Sequence, residues 1–177
     1  MRLVRAIFCL LICIVFCSLP SPARQDPTAA AAELLDRLAG NWLLEGTIAA
    51  RQTTHDVQAT WVLNREYLQL HEISREKNAK GGAAYEAIVY IGWDSKAQQY
   101  TCLWLDSTSG DALSTEVIAR ATQAGDSIPF IFRISPANQI HTTFSYDKKK
   151  DSWQWLIDNL ENSQIHHFAN VTLKRVM

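Results

Sequence analysis

Residues 85–104 read Tyr85-Glu86-Ala87-Ile88-Val89-Tyr90-Ile91-Gly92-Trp93-Asp94-Ser95-Lys96-Ala97-Gln98-Gln99-Tyr100-Thr101-Cys102-Leu103-Trp104. Tyr85, Ala87, Val89, Ile91 and Trp93 share one parity, which in an extended chain places them on one face. Asp94-Ser95-Lys96 is polar and turn-forming. After it Tyr100, Cys102 and Trp104 alternate against Thr101 and Leu103. Two strands of period two joined by a short polar turn predict an antiparallel hairpin.

The same rhythm extends in both directions. Upstream, Trp42, Leu44, Gly46 and Ile48 share a face, as do Val57, Ala59, Trp61 and Leu63. The segment Glu66 to Arg75 is extended, but Tyr67, Leu68, Leu70 and Ile73 do not share a parity, so its facing stays open. Downstream come Leu113, Thr115, Val117 and Ala119; then Ile128, Phe130, Phe132 and Ile134; then Ile140, Thr142, Phe144 and Tyr146. Trp153, Trp155 and Ile157 follow, and His167, Ala169, Val171 and Leu173 close the chain. About ten such strands in one open sheet would leave long unpaired edges, and closure into a single antiparallel barrel removes them. One segment breaks the pattern: Ala29 to Ala39 is rich in Ala, Leu and Glu, with Leu34, Leu35 and Leu38 at helical spacing and Gly40 as a stop. The expectation is an all-β domain over residues 41–177, preceded by a lead-in and short helix over 24–40.

Residues 1–23 differ in kind. Arg2 and Arg5 precede an apolar run from Ala6 to Cys17, and Ser21 and Ala23 bracket a small-residue cleavage site. This is the pattern of a secretory signal peptide. The run is too short for a spanning helix, which needs about 20 residues. The expected product is periplasmic or secreted, begins at Arg24 and keeps no stable membrane span. It retains one cysteine, Cys102, set in an apolar run and read as a small buried hydrophobe. Losing Arg2 and Arg5 leaves 15 basic residues against 18 acidic, a net charge of −3. With no basic stripe, nucleic acid is not the expected partner. Lys148-Lys149-Lys150 reads as a charged hairpin loop.

Four stretches carry a family likeness. Leu38-Ala39-Gly40-Asn41-Trp42, an L-x-G-x-W at the start of the first strand, resembles the opening of calycin-type barrels such as lipocalins. Trp61 to Leu68, Tyr90-Ile91-Gly92-Trp93-Asp94, and Tyr100 to Ser107 (Y-x-x-x-W-x-D-S) resemble the bacterial calycin-like family of unknown function numbered 1579. The resemblance implies a lipocalin-like antiparallel barrel around a central cavity, and it implies no activity. A more distant likeness is to the nitrobindins, barrels that bind haem through a histidine on the last strand. His167, ahead of Val171-Thr172-Leu173-Lys174-Arg175, is the matching position, which makes haem a candidate cofactor. That family's glycine-rich opening, G-x-G-x-Y-P, is replaced here by Leu44-Glu45-Gly46-Thr47-Ile48.

Parity turns eight rings inward: Trp42, Trp61, Tyr85, Trp93, Tyr100, Trp104, Trp153 and Trp155. The chain has six tryptophans, and each large ring brings about 150–250 Å² of apolar surface. Such rings either line a cavity for a small apolar or flat molecule or fill the barrel outright. The candidate ligand-binding set is Trp61, Tyr85, Trp93, Tyr100, Trp104, Asp106, Trp155 and His167. Asp106 shares the parity of Trp104 and could work with His71 or Glu72 in acid–base chemistry, or could simply accept turn hydrogen bonds beside Ser107 and Thr108. His55 reads as part of a turn, His141 as outward and His167 as inward. No nucleophile elbow, zinc-protease helix or phosphate loop occurs. A non-enzymatic binding protein is the leading expectation. A filled barrel that docks a protein partner through its rim comes second, and a haem protein or hydrolase-like enzyme third.

Overall fold

A computed structural model describes residues 27–108 and 113–176. The expected signal peptide and its cleavage site at Ala23 lie outside the described residues. One helix, α1 (Pro27–Leu38), precedes ten strands: β1 (Gly40–Ile48), β2 (Arg51–Val62), β3 (Tyr67–Ser74), β4 (Glu86–Asp94), β5 (Gln99–Asp106), β6 (Ile118–Ala121), β7 (Ser127–Arg133), β8 (Asn138–Asp147), β9 (Ser152–Glu161) and β10 (Gln164–Arg175). Each strand pairs antiparallel with its neighbours in sequence, and β10 returns to β1, with Leu44 opposite Leu173, to close the barrel. The fold is therefore an all-β, ten-stranded antiparallel barrel with one short helix. No helix among the described residues is long and apolar enough to cross a membrane.

The barrel's two ends are built differently. α1 caps one end and turns Leu34, Leu35 and Leu38 into it, all nearly inaccessible. Around them the strand ends contribute Trp42, Leu68, Ile91, Tyr100, Ile128, Phe144, Trp153 and Leu173, each 0–1% exposed. The polar handles of these rings return to the helix backbone. Trp42 Nε1 donates to the Leu38 carbonyl at 2.7 Å, Tyr100 Oη to that of Ala31 at 3.2 Å, and Trp153 Nε1 to that of Arg37 at 3.4 Å. A buried indole or phenol that bonds a helix carbonyl removes two desolvation costs together. Arg175, at the end of β10, donates to the carbonyls of Arg37 and Ala39 at 3.0 Å each and stands over the Trp42 ring.

Some boundaries move relative to the sequence reading. β2 begins at Arg51, and its hairpin with β1 turns on Ala49 and Ala50 at φ of 49° and 60°. Neither alanine signals a turn, so His55, expected in a loop, instead sits within a strand. Leu63, expected inward, occupies a turn at φ 50° and is 70% exposed. The strand expected over Leu113 to Ala119 shortens to β6. Ser114 Oγ accepts from the Glu116 N–H and starts a 3-10 turn over Thr115–Val117, which consumes the first half of the segment. β6 meets β7 at a single register pair, Arg120 with Ile131.

Candidate functional site

At the end remote from α1 the barrel is hollow. A cavity of about 790 Å³ opens there, between the ends of β1, β3, β5, β7 and β9 and the starts of β2, β8 and β10. Its walls are chemically unlike. The β7–β10 side, with β1, is apolar and presents Leu44, Phe132, Ile140, Trp155, Ile157 and Val171. The β2–β5 side presents His55, Glu72, Ser74, Tyr85, Trp104 and Asp106. Among the described residues five polar side chains are buried, and four of them, His55, Glu72, Ser74 and Thr142, line this cavity. Buried polar groups are costly unless paired, so their concentration on one void sets it apart from ordinary core.

The polar wall starts from the β2–β3 register, which sets Val57 opposite Glu72 and His55 opposite Ser74. The His55 and Glu72 side chains, 4% and 3% exposed, meet diagonally, His55 Nδ1 against Glu72 Oε1. The neighbouring bonds assign the ring's protons. Thr53 Oγ1 donates to Glu76 Oε2 at 3.0 Å, so its oxygen must accept the Nε2–H of His55 at 2.8 Å. One further proton lies between Nδ1 and Glu72. Both ring nitrogens are thus engaged, and His55 cannot act as a free base without giving up a partner. Glu76 also accepts the Thr54 N–H at 3.0 Å. Burial would push its carboxyl up, but these backbone and hydroxyl donors outweigh it and hold the group below the usual carboxylate range.

Tyr85 lies beside this pair, its ring stacked on His55 at 5.7 Å. Its oxygen accepts Trp104 Nε1–H at 3.3 Å. The described residues offer no acceptor for the phenol's own proton, nor a hydrogen-bond partner for the second Glu72 oxygen. Burial, and then the negative charges of Glu72 and Asp106, push the Tyr85 phenol well above its ordinary range, so it stays a neutral donor. Asp106 Oδ1 accepts from Thr108 N at 2.7 Å and Oγ1 at 2.6 Å, which fixes the carboxylate at the mouth. Trp104 crosses from one wall to the other, 5.2 Å from Trp155 and edge-on to Phe132 at 6.3 Å.

Of the eight residues the sequence singles out, Tyr85, Trp104, Asp106 and Trp155 come together around the cavity. Trp61, Trp93 and Tyr100 lie at the helix-capped end. Trp61 Nε1 donates to Asp36 at 2.7 Å under the Arg65 guanidinium, and Trp93 packs edge-on to Tyr100 at 5.0 Å. His167 faces outward: its side chain is 87% exposed and pairs with Asp158 at 2.7 Å. A bulge between His167 and Ala169 is the reason, because Asp158 and Ile157 pair with residues two apart on β10. One inserted residue reverses the facing of everything beyond it. The residues sequence reasoning left out of the cavity are His55, Thr142 and Phe132, and Glu72 entered it only as one possible partner of Asp106; it faces inward in the row Leu68, Leu70, Glu72, Ser74. His71 points the other way, to Glu86 at 2.7 Å, so it is not Asp106's partner.

These positions do not fit a haem. The histidine that the nitrobindin likeness carries over stands outside the barrel, and the histidine inside has both nitrogens taken. Cys102 is buried among apolar strands, and burial pushes its thiol far above the ordinary range, which leaves it unreactive. The sequence matches no protein-family model and no curated protein.

Proposed function

We propose that this protein is an exported, non-enzymatic carrier that holds one small, flat, largely apolar molecule in the open half of its barrel. The carrying observation is the cavity of about 790 Å³ with an aromatic and aliphatic wall facing a small set of fixed polar groups. Ligand sites of about 300–1,000 Å³, mostly apolar with a few convergent polar atoms, are the usual form of a small-molecule pocket. Tyr85 O–H and the second Glu72 oxygen supply a donor and an acceptor to a guest. Trp104, Phe132 and Trp155 supply ring faces for its body. The engaged state of His55 supports binding over acid–base catalysis. Export rests on the amino-terminal pattern of Arg2, Arg5, the apolar run and the Ser21-x-Ala23 site.

Protein recovered from the periplasmic fraction or medium of expressing cells tests both halves of the proposal. Amino-terminal sequencing is expected to start at Arg24. Native mass spectrometry after exposure to a lipid and metabolite extract is expected to show one small-molecule adduct per chain that denaturation releases. An intact Met1 on membrane-bound material would overturn the export reading. A spectrum of bare protein from every extract would overturn the carrier.

A further inference from the structure

The charges around the cavity narrow the chemistry of its occupant. We propose that the ligand is an organic cation, a flat apolar body bearing a protonated amine, with the ammonium seated between Glu72, Asp106 and the faces of Tyr85 and Trp104. The inference rests on the carrier reading and adds a ligand class to it. Among the described lining residues are four carboxyl side chains, Glu72, Glu76, Asp106 and Glu116, against one arginine, Arg51, at the exposed rim and no lysine. With Nε2–H fixed and one further proton shared, the His55–Glu72 pair is neutral as a whole, so the negative charge of the wall is that of Glu76, Asp106 and Glu116. An anionic guest would meet carboxylates with one rim cation to offset them. A cation finds the opposite field in a partly desolvated space, where charge-assisted hydrogen bonds are about twice as strong as neutral ones. Ring faces add to this. An ammonium over the face of Tyr or Trp is drawn to the ring's negative quadrupole, the more strongly the less water surrounds it. The Tyr85 phenol registers the same field, since Glu72 and Asp106 reinforce the effect of its burial.

Calorimetric titration with three probes that share one ring system tests the proposal: naphthalen-1-ylmethylamine, naphthalen-1-ylmethanol and 1-naphthoate. The amine is expected to bind about ten-fold more tightly than the alcohol, with the naphthoate weakest. Asp106→Asn, which removes one of the wall's negative charges, is expected to bring the ratio of amine to alcohol affinity from about ten to about one. Equal binding of all three would overturn the cation reading and leave the carrier standing. Tighter naphthoate binding would overturn it too, and no binding of any probe would overturn both readings.

Discussion

His55 and Glu72, on neighbouring strands and only 4% and 3% exposed, share one proton on the wall of a cavity. Taking such a pair out of water costs several kcal/mol per ion, and an apolar pair of similar volume often serves the fold as well or better. The pair is therefore poorly explained by stability alone. Removing one partner strands the other: Glu72→Ala is expected to cost about 3–5 kcal/mol in urea unfolding. His55→Leu combined with Glu72→Met is expected to recover most of that loss while abolishing guest binding. A double variant as unstable as the single one would mean that the pair serves the fold rather than the ligand.

At the capped end Arg175 joins β10 to the helix. Its guanidinium carbon lies 4.1 Å from the Trp42 ring centroid, and it donates to Asp151 at 2.6 and 3.1 Å and to the carbonyls of Arg37, in the helix, and Ala39, just past its end. Arg175→Ala is expected to lower stability by about 1.5–3 kcal/mol, the range for hydrogen bonds to a charged group. The Arg175 bonds hold the Asp151 carboxyl below its ordinary range. A depressed carboxyl contributes stability above its unfolded pKa of about 3.9 and loses it as pH falls through the folded value. Asp151→Asn should therefore melt lower than the native protein at pH 7, and the two should converge in acid. A gap that persisted below the carboxylate range would contradict the assignment.

Trp153 and Trp104 sit at opposite ends of the same interior. Trp153 is 0% exposed and packed on Tyr146 and the helix backbone, whereas Trp104 lines the void. Truncating a fully packed ring costs about 3–5 kcal/mol, with the larger values where a new cavity cannot collapse. A ring on a cavity wall has fewer packing partners to lose. Trp153→Ala is expected to show the full loss and Trp104→Ala less than about 1.5 kcal/mol. Equal losses would argue that the barrel is filled at both ends.

The strands were readable because most of them obey strict alternation, as Tyr85 to Trp104 shows. The site was harder to read, for physical reasons that can be named. β3 turns Leu68 and Leu70 inward but continues that face as Glu72 and Ser74, while Tyr67 and Ile73 are 42% and 36% exposed. A strand whose inner face turns polar loses the apolar parity by which facing is recognised, and it does so at the cavity. His167 was misplaced by a bulge that leaves no compositional mark, and His55 by a turn built from two alanines. Local rules are expected to fail where function overrides packing.

That alanine turn can be improved. Two-residue hairpin turns with positive φ at both positions favour Asn-Gly, because a Cβ in the left-handed region costs about 1–2 kcal/mol per residue. Ala49→Asn with Ala50→Gly is expected to raise stability by about 1 kcal/mol, read as a higher melting temperature. The Ala49 N–H bond to the Phe168 carbonyl at 2.9 Å would remain available. A lower melting temperature would mean that the alanine methyls make contacts worth more than the strain.

The hollow half of the barrel is tested most directly by fluorescence titration with N-phenyl-1-naphthylamine, whose emission rises in an apolar enclosure. The native protein is expected to bind one dye per chain with enhanced emission. Ala169→Trp, which adds an indole on the cavity wall where Ala169 is 5% exposed, is expected to lose that response while its near-ultraviolet circular dichroism still reports a folded barrel. A native protein that leaves the dye dark, or a folded Ala169→Trp variant that binds it as well as the native chain, would contradict a ligand site in this cavity.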